Sequence, residues 1–176
     1  MENEQIKTSA LDVIMSRRSV RAFTEEAITE EQLETLLRAA MAAPSAGNAQ
    51  PWEFIVIRNR ELLNKVPAIN PYAAFAPQAS AGILVCTDPE LEKFPGYWIE
   101  DTSAATENLL LAAHALGLGA VWTGVYPDSQ RVSAFRELVK APERIIPMAF
   151  ILVGYPQSLP KPADRYRPER IHFNTW

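Results

Sequence analysis

Between Ser103 and Leu116 the chain offers only Glu107 and His114 as side chains able to carry charge. A helical pattern from Trp98 to Leu116 is therefore apolar nearly all round, and such a helix has to be buried on most of its faces. A chain of 176 residues, 48% of them hydrophobic, has material for one proper core, yet a domain of this size seldom encloses a helix so completely by itself. The alternatives are the central helix of a monomer and, as we expect, a helix covered by a second subunit in an obligate dimer.

Charge narrows the partners. With 17 Lys and Arg against 21 Asp and Glu, the net charge is −4, which suits neither nucleic acid nor an anionic membrane surface. The lone Cys86 excludes an internal disulfide and a multi-cysteine metal site and fits a reducing compartment. Lying in Ala81-Gly-Ile-Leu-Val-Cys86, it reads as a buried core thiol rather than a nucleophile. The acidic start, Met1-Glu-Asn-Glu-Gln5, precedes no long apolar run and is not a signal peptide, and no uncharged stretch reaches bilayer length. We expect a soluble, cytoplasmic protein without a metal site.

Along the chain, Thr8 to Ser16 reads as a short amphipathic helix with Leu11, Ile14 and Met15 on one face and Thr8 or Ser9 as its cap. Thr29-Glu-Glu-Gln32 has the form of a capping box, followed by Leu33, Leu36, Leu37 and Ala40 at helical spacing up to a stop before Pro44. Trp52 to Ile57 and Ala81 to Thr87 have strand character, Asn59 caps a brief helix through Val66, and Pro67 to Ser80 is a loop or short helices. Gly117 ends the apolar helix, Gly119 to Val125 is a buried strand, Asp128 or Ser129 caps a helix through Lys140, and Ile145 to Val153 is a continuous apolar strand. The tail from Gln157 is charged and proline-rich but ends in Ile171-His-Phe-Asn-Thr-Trp176, an aromatic ending that predicts docking. Elements alternate without repeats and without a Gly-x-Gly-x-x-Gly turn, which points to an α+β or α/β fold other than the common dinucleotide one.

Placed where the first helix ends, Arg17-Arg18-Ser19-Val20-Arg21 gathers three guanidinium groups and a hydroxyl. Arginine forks grip phosphate bidentately, so the cluster suits a bound anion. A solvated basic turn at a helix C-terminus is the competing reading.

Four segments in order, Arg17-Arg-Ser-Val-Arg21, Pro44-Ser-Ala-Gly-Asn-Ala-Gln-Pro-Trp52, Leu116-Gly-Leu-Gly119 and a terminal arginine tail, resemble the FMN-dependent nitroreductase family over nearly the whole chain. The short Asp88–Tyr97 connection marks a compact form. The resemblance implies a single FMN-binding domain over residues 1–176. Its fold would be an α-β-α sandwich around a mixed, mainly antiparallel sheet, an α+β homodimer whose tail (157–176) embraces the other subunit. It implies tightly bound FMN, with Arg17, Arg18 and Ser19 near the phosphate and ribityl oxygens and Arg165, or alternatively Arg167, as a second cation. Arg21 would face the N1 and O2 edge, where negative charge collects on reduction. Pro44, Ser45, Ala46 and Asn48 would touch the flavin bound chiefly by the other subunit. Asn70 would bond the pyrimidine edge, and Thr123, Gly124 and Val125 would bring backbone amides near N5.

The activity so implied is ping-pong hydride transfer from NADH or NADPH to a nitroaromatic, quinone or similar planar acceptor, with the chemistry on the flavin and no catalytic side chain. His114 and His172 are read as structural. Alternatives are a dehalogenase or flavin-fragmenting relative, or a flavin-binding dimer without turnover.

Overall fold

The computed structural model describes residues 9–161 and 163–176, so the acidic start and Thr8 as a cap lie outside the described residues. Strands β1 (Trp52–Ile57), β2 (Ala81–Thr87), β3 (Gly119–Gly124) and β4 (Ile146–Gly154) form one sheet in the order β1-β2-β4-β3. Every neighbouring pair is antiparallel. The sheet is therefore antiparallel throughout rather than mixed, and the one parallel pairing among the described residues is an isolated bridge from Ser19 to Ala120 on the outer edge of β3.

The continuous apolar runs of β2 and β4 follow from burial on both sides, because successive side chains point to opposite faces. Ile83 and Val85 join one core with Leu36, Ala105 and Leu109, from α2 (Glu30–Met41) and α4 (Trp98–Ala115). Leu84 and Cys86 join a second with Leu63, Val66 and Phe135, from α3 (Arg60–Ile69) and α5 (Ser129–Val139). The result is an α-β-α sandwich of the α+β class, as the family resemblance implies.

Helix ends follow local chemistry. Ser9 and Asp12 form a capping box on α1 (Ala10–Ser16), and Thr29 and Gln32 form another on α2. Asn59 and Asp128 accept backbone N–H groups at the starts of α3 and α5, and Gly117 closes α4 at φ 73°. Where α3 was expected to stop at Val66 it continues to Ile69, with Pro67 in its last turn. The region after it holds two short 3-10 turns, Pro71–Ala73 and Ala76–Gln78.

In α4, Thr102 and Thr106 are buried because their hydroxyls donate to the carbonyls of Trp98 (2.6 Å) and Thr102 (2.7 Å) one turn back. Its opposite face, including Ala104, Asn108, Leu111 and Ala112, is only half-buried within the protomer. The face of α1 expected to pack is open: Leu11, Ile14 and Met15 are 71%, 53% and 74% exposed, and Val13 is the buried residue instead. Between α1, α2 and α4 lies an apolar groove of about 500 Å³ lined by Val13, Ile14, Ala39, Leu111 and Ala112. The terminal aromatics Phe173 and Trp176, expected to dock, are 83% and 100% exposed. Among the described residues no helix is long and apolar enough to cross a membrane.

Gly82, mid-strand in β2, has no space for a side chain: a Cβ there would lie 2.2 Å from Cζ of the fully buried Phe150. Gly82→Ala is expected to lower the unfolding free energy by about 1–3 kcal/mol through overpacking, measurable by urea denaturation.

Candidate functional site

The arginine-rich segment is fixed to the edge of β3. Val20 N–H donates to Ala120 O at 3.0 Å, and the approach depends on Gly119, where a Cβ would sit 2.7 Å from Val20 Cγ1. Val20 is buried, Ser19 half-buried and Arg21 exposed, so the basic segment presents its polar groups outward while its valine anchors it. Downstream, Phe23 bridges Pro156, Thr24 N–H donates to Tyr155 O (2.9 Å), and Gln157 N–H donates to Ala22 O (3.0 Å). The chain leaving β4 is thereby laid antiparallel to the chain leaving α1.

This pairing carries the tail back to the arginines. Arg18 donates to Met15 O (3.0 Å), Arg17 O (2.6 Å), Lys161 O (3.4 Å) and Ala163 O (3.2 Å). Grouped on sequence with the cofactor contacts, Arg18 here spends its guanidinium on backbone carbonyls and clamps tail to helix. Arg17, Arg18 and Arg165 line one cleft of about 320 Å³ together with Asp164 and Tyr166. Arg17 is held by Glu107 of α4, Nε to Oε1 at 3.2 Å. The alternative tail cation, Arg167, instead donates to Tyr166 O and lies 4.0 Å from Glu169.

His114 is not deep in the core but half-buried beside this cluster, its Nε2 2.7 Å from Ser16 Oγ. Burial, with Arg17 and Arg18 adding repulsion, holds its pKa below the ordinary histidine value. His172 stacks on Trp176 at the tail end, ring centroids 4.2 Å apart. Cys86 is fully buried and its thiol is pushed up to about 12, chiefly by burial, which removes it as a nucleophile.

At the far end of β3, Gly124 is exposed, whereas Thr123 and Val125 are buried. Thr123 Oγ1 donates to Phe150 O and Val125 N–H to Met148 O, so Gly124 alone of the three presents itself outward. Asn70 is fully buried: its amide donates to Gly124 O (3.2 Å) and accepts from Tyr72 N–H (3.1 Å). As placed it touches no solvent and serves to fix the end of β3.

The loop before β1 is held in a rare conformation. Gly47, Asn48 and Gln50 have φ of 58°, 55° and 51°, a region that costs an ordinary L-residue about 1–2 kcal/mol and asparagine less. Side chains hold it there: Ala46 N–H donates to Asp101 Oδ1 (2.8 Å), Lys93 Nζ to Gly47 O (2.7 Å) and Gln50 N–H to Ser45 Oγ (3.0 Å). Pro44, Gly47 and Asn48 stay exposed, with Ser45 and Ala46 half-buried.

The nitroreductase family model matches residues 14–88 and 70–155. The chain belongs to the nitroreductase family. A relative in Methanothermobacter thermautotrophicus with the provisional name NADH dehydrogenase/NAD(P)H nitroreductase is 48% identical, over 97% of this chain and 89% of its own length. Among solved structures, a provisionally named NADH oxidase from Clostridium acetobutylicum superposes with a TM-score of 0.91 at 43% identity, over 94% of this chain and all of its own. A provisionally named nitroreductase from Desulfovibrio desulfuricans, solved in complex with FMN, superposes with a TM-score of 0.80 at 33% identity, over 100% and 99% of the two chains. Within this nitroreductase-family chain, Asp101, Glu107 and Lys93 carry anchoring roles that their local sequence, ordinary charged helix and turn positions, does not signal.

His114 gives a signed pH effect. Its folded pKa lies below the unfolded value, so the unfolded chain binds more protons as pH falls through about 6.5. Its contribution to stability is complete above that pH and lost progressively toward the lower folded value. The urea midpoint of the wild type is expected to fall between pH 7 and pH 5, and His114→Asn to fall less over the same range.

Proposed function

We propose that this chain is an FMN-containing oxidoreductase that oxidises NADH or NADPH and, in a ping-pong cycle at the same site, reduces a nitroaromatic, quinone or similar planar acceptor. The observation that carries this is the convergence of Arg17 and Arg165, from opposite ends of the chain, on one cleft. That donor set fits a phosphate monoester, since guanidinium forks pair with its oxygens. The FMN seen in the Desulfovibrio desulfuricans relative and the NAD(P)H in the Methanothermobacter relative's name support the same reading.

Arg17 and Arg165 would hold the phosphate, with Ser19 beside them. Arg18 closes the cleft by clamping the tail. Arg21 would place a cation at the N1 and O2 edge, and exposed Gly124, backed by Asn70, would lie near N5. Bound there, FMN would supply hydride transfer through N5. The protein contributes binding, orientation and electrostatics, and no side-chain nucleophile is invoked.

The reading includes a homodimer, supported by where the halves of this site are anchored. Ala46 is tied to Asp101 and Arg17 to Glu107, positions about 9 Å apart along α4 and about 120° apart around it. A second copy seated on the apolar groove would cover the open faces of α1 and α4 and bring its own Pro44–Asn48 loop to this protomer's cleft, with the aromatic tail end reaching across.

Purified protein is expected to be yellow, to bleach with NADH or NADPH under anaerobic conditions, and to regain colour with a nitroaromatic or quinone. Colourless protein that takes up no FMN rejects the proposal, absence of bleaching leaves a flavin-binding protein, and halide release from a halogenated substrate identifies dehalogenation instead. Arg17→Ala and Arg165→Ala are each expected to weaken FMN binding by about 1.5–3 kcal/mol, the range for a charge-assisted hydrogen bond, measured by fluorescence titration. Unchanged affinity in both overturns the phosphate assignment.

A further inference from the structure

The first turn of α4 contains a carboxylate that fold stability alone does not explain. Asp101 is 4% exposed, and its Oδ2 is the one buried side-chain oxygen or nitrogen without a hydrogen-bond partner among the described residues. An acid so enclosed and half-satisfied is destabilising, though its place near a helix N-terminus offsets part of the cost. Its other oxygen makes a single contact with the backbone, the 2.8 Å bond from Ala46 N–H. Ala46 opens the turn in which Gly47, Asn48 and Gln50 take positive φ. The carboxylate therefore pins the start of a backbone conformation that those residues do not favour by themselves.

We propose that Asp101 is a positioning residue for the cofactor, fixing the Ser45–Asn48 turn through the Ala46 amide so that the turn presents a preorganised edge to the flavin. The inference rests on the reading that this loop contacts FMN. It separates two jobs within the loop: Lys93 and Phe94 hold it from the solvent side, where a Cβ on Gly47 would lie 2.8 Å from Phe94 Cε2, and Asp101 holds it from the core.

The test compares Asp101→Ala and Asp101→Asn with the wild type, first without flavin. Amide hydrogen exchange over residues 44–50 is expected to quicken at least tenfold in Asp101→Ala and to stay within about threefold in Asp101→Asn, which keeps an oxygen for the Ala46 amide. FMN affinity, read by fluorescence titration, is expected to fall about tenfold in Asp101→Ala and to recover in Asp101→Asn, while the urea midpoint of the apoprotein is unchanged or higher in both. Unchanged exchange in Asp101→Ala overturns the anchoring, and faster exchange with unchanged FMN affinity overturns its role toward the cofactor. Should Asp101→Ala not fold, Asp101→Ser, with a side chain too short to reach the amide, takes its place with the same expectations. Wild-type protein that binds no FMN would reject the flavin reading instead, and the exchange comparison would still decide whether Asp101 holds the turn.

Discussion

The candidate site depends on the close approach of two extended segments at a sheet edge. Val20 lies against Gly119 and hydrogen-bonds the neighbouring Ala120, and three residues later the same segment pairs with the chain leaving β4. Because the hydrogen bonds among these contacts are backbone to backbone, they set direction as well as proximity. Running antiparallel to residues 22–24, the tail can only return toward Arg18 and Arg17, and that is how Arg165 arrives beside them. The convergence of cations is thus a consequence of strand pairing rather than of attraction between the arginines, which repel one another until an anion joins them.

The same edge shows how the protein spends its charged side chains. Arg18 serves backbone carbonyls, Arg17 leans on Glu107, and His114 remains neutral more readily because it is half-buried and because both arginines stand near it. In the loop before β1 the pattern repeats, with Asp101 and Lys93 committed to backbone groups. Arg18, Asp101 and Lys93 thus act as fasteners of main chain, while Arg21 is exposed.

Much of the fold is legible from residue order because local chemistry decides it. The capping boxes at Ser9 and Thr29, the Gly117 stop and the doubly buried runs of β2 and β4 each follow from rules that operate within a few residues. What local order does not carry is topology. Helices lie between the strands, yet every pair in the order β1-β2-β4-β3 is antiparallel, a pairing that only the folded chain reveals. Asn70 illustrates a related difficulty: an asparagine in a loose loop looks available to a ligand, and only the folded chain reveals its amide closed upon Gly124 and Tyr72. Asp101 is the converse, an acid in a helix's first turn that looks ordinary until its burial is known. The apolar faces of α1 and α4 were legible as surfaces needing cover, and the described residues leave them open or half-buried.

Glu107 and Asp101 fasten two distant parts of the chain to the same helix, which makes α4 a ruler as well as a core element. Adding or removing one residue between them would swing one fastening about 100° relative to the other. The stretch from 102 to 106 is therefore intolerant of length change. Growth or shrinkage of this architecture belongs instead in connections such as Asp88–Tyr97, where added residues would leave the phase of the ruler untouched.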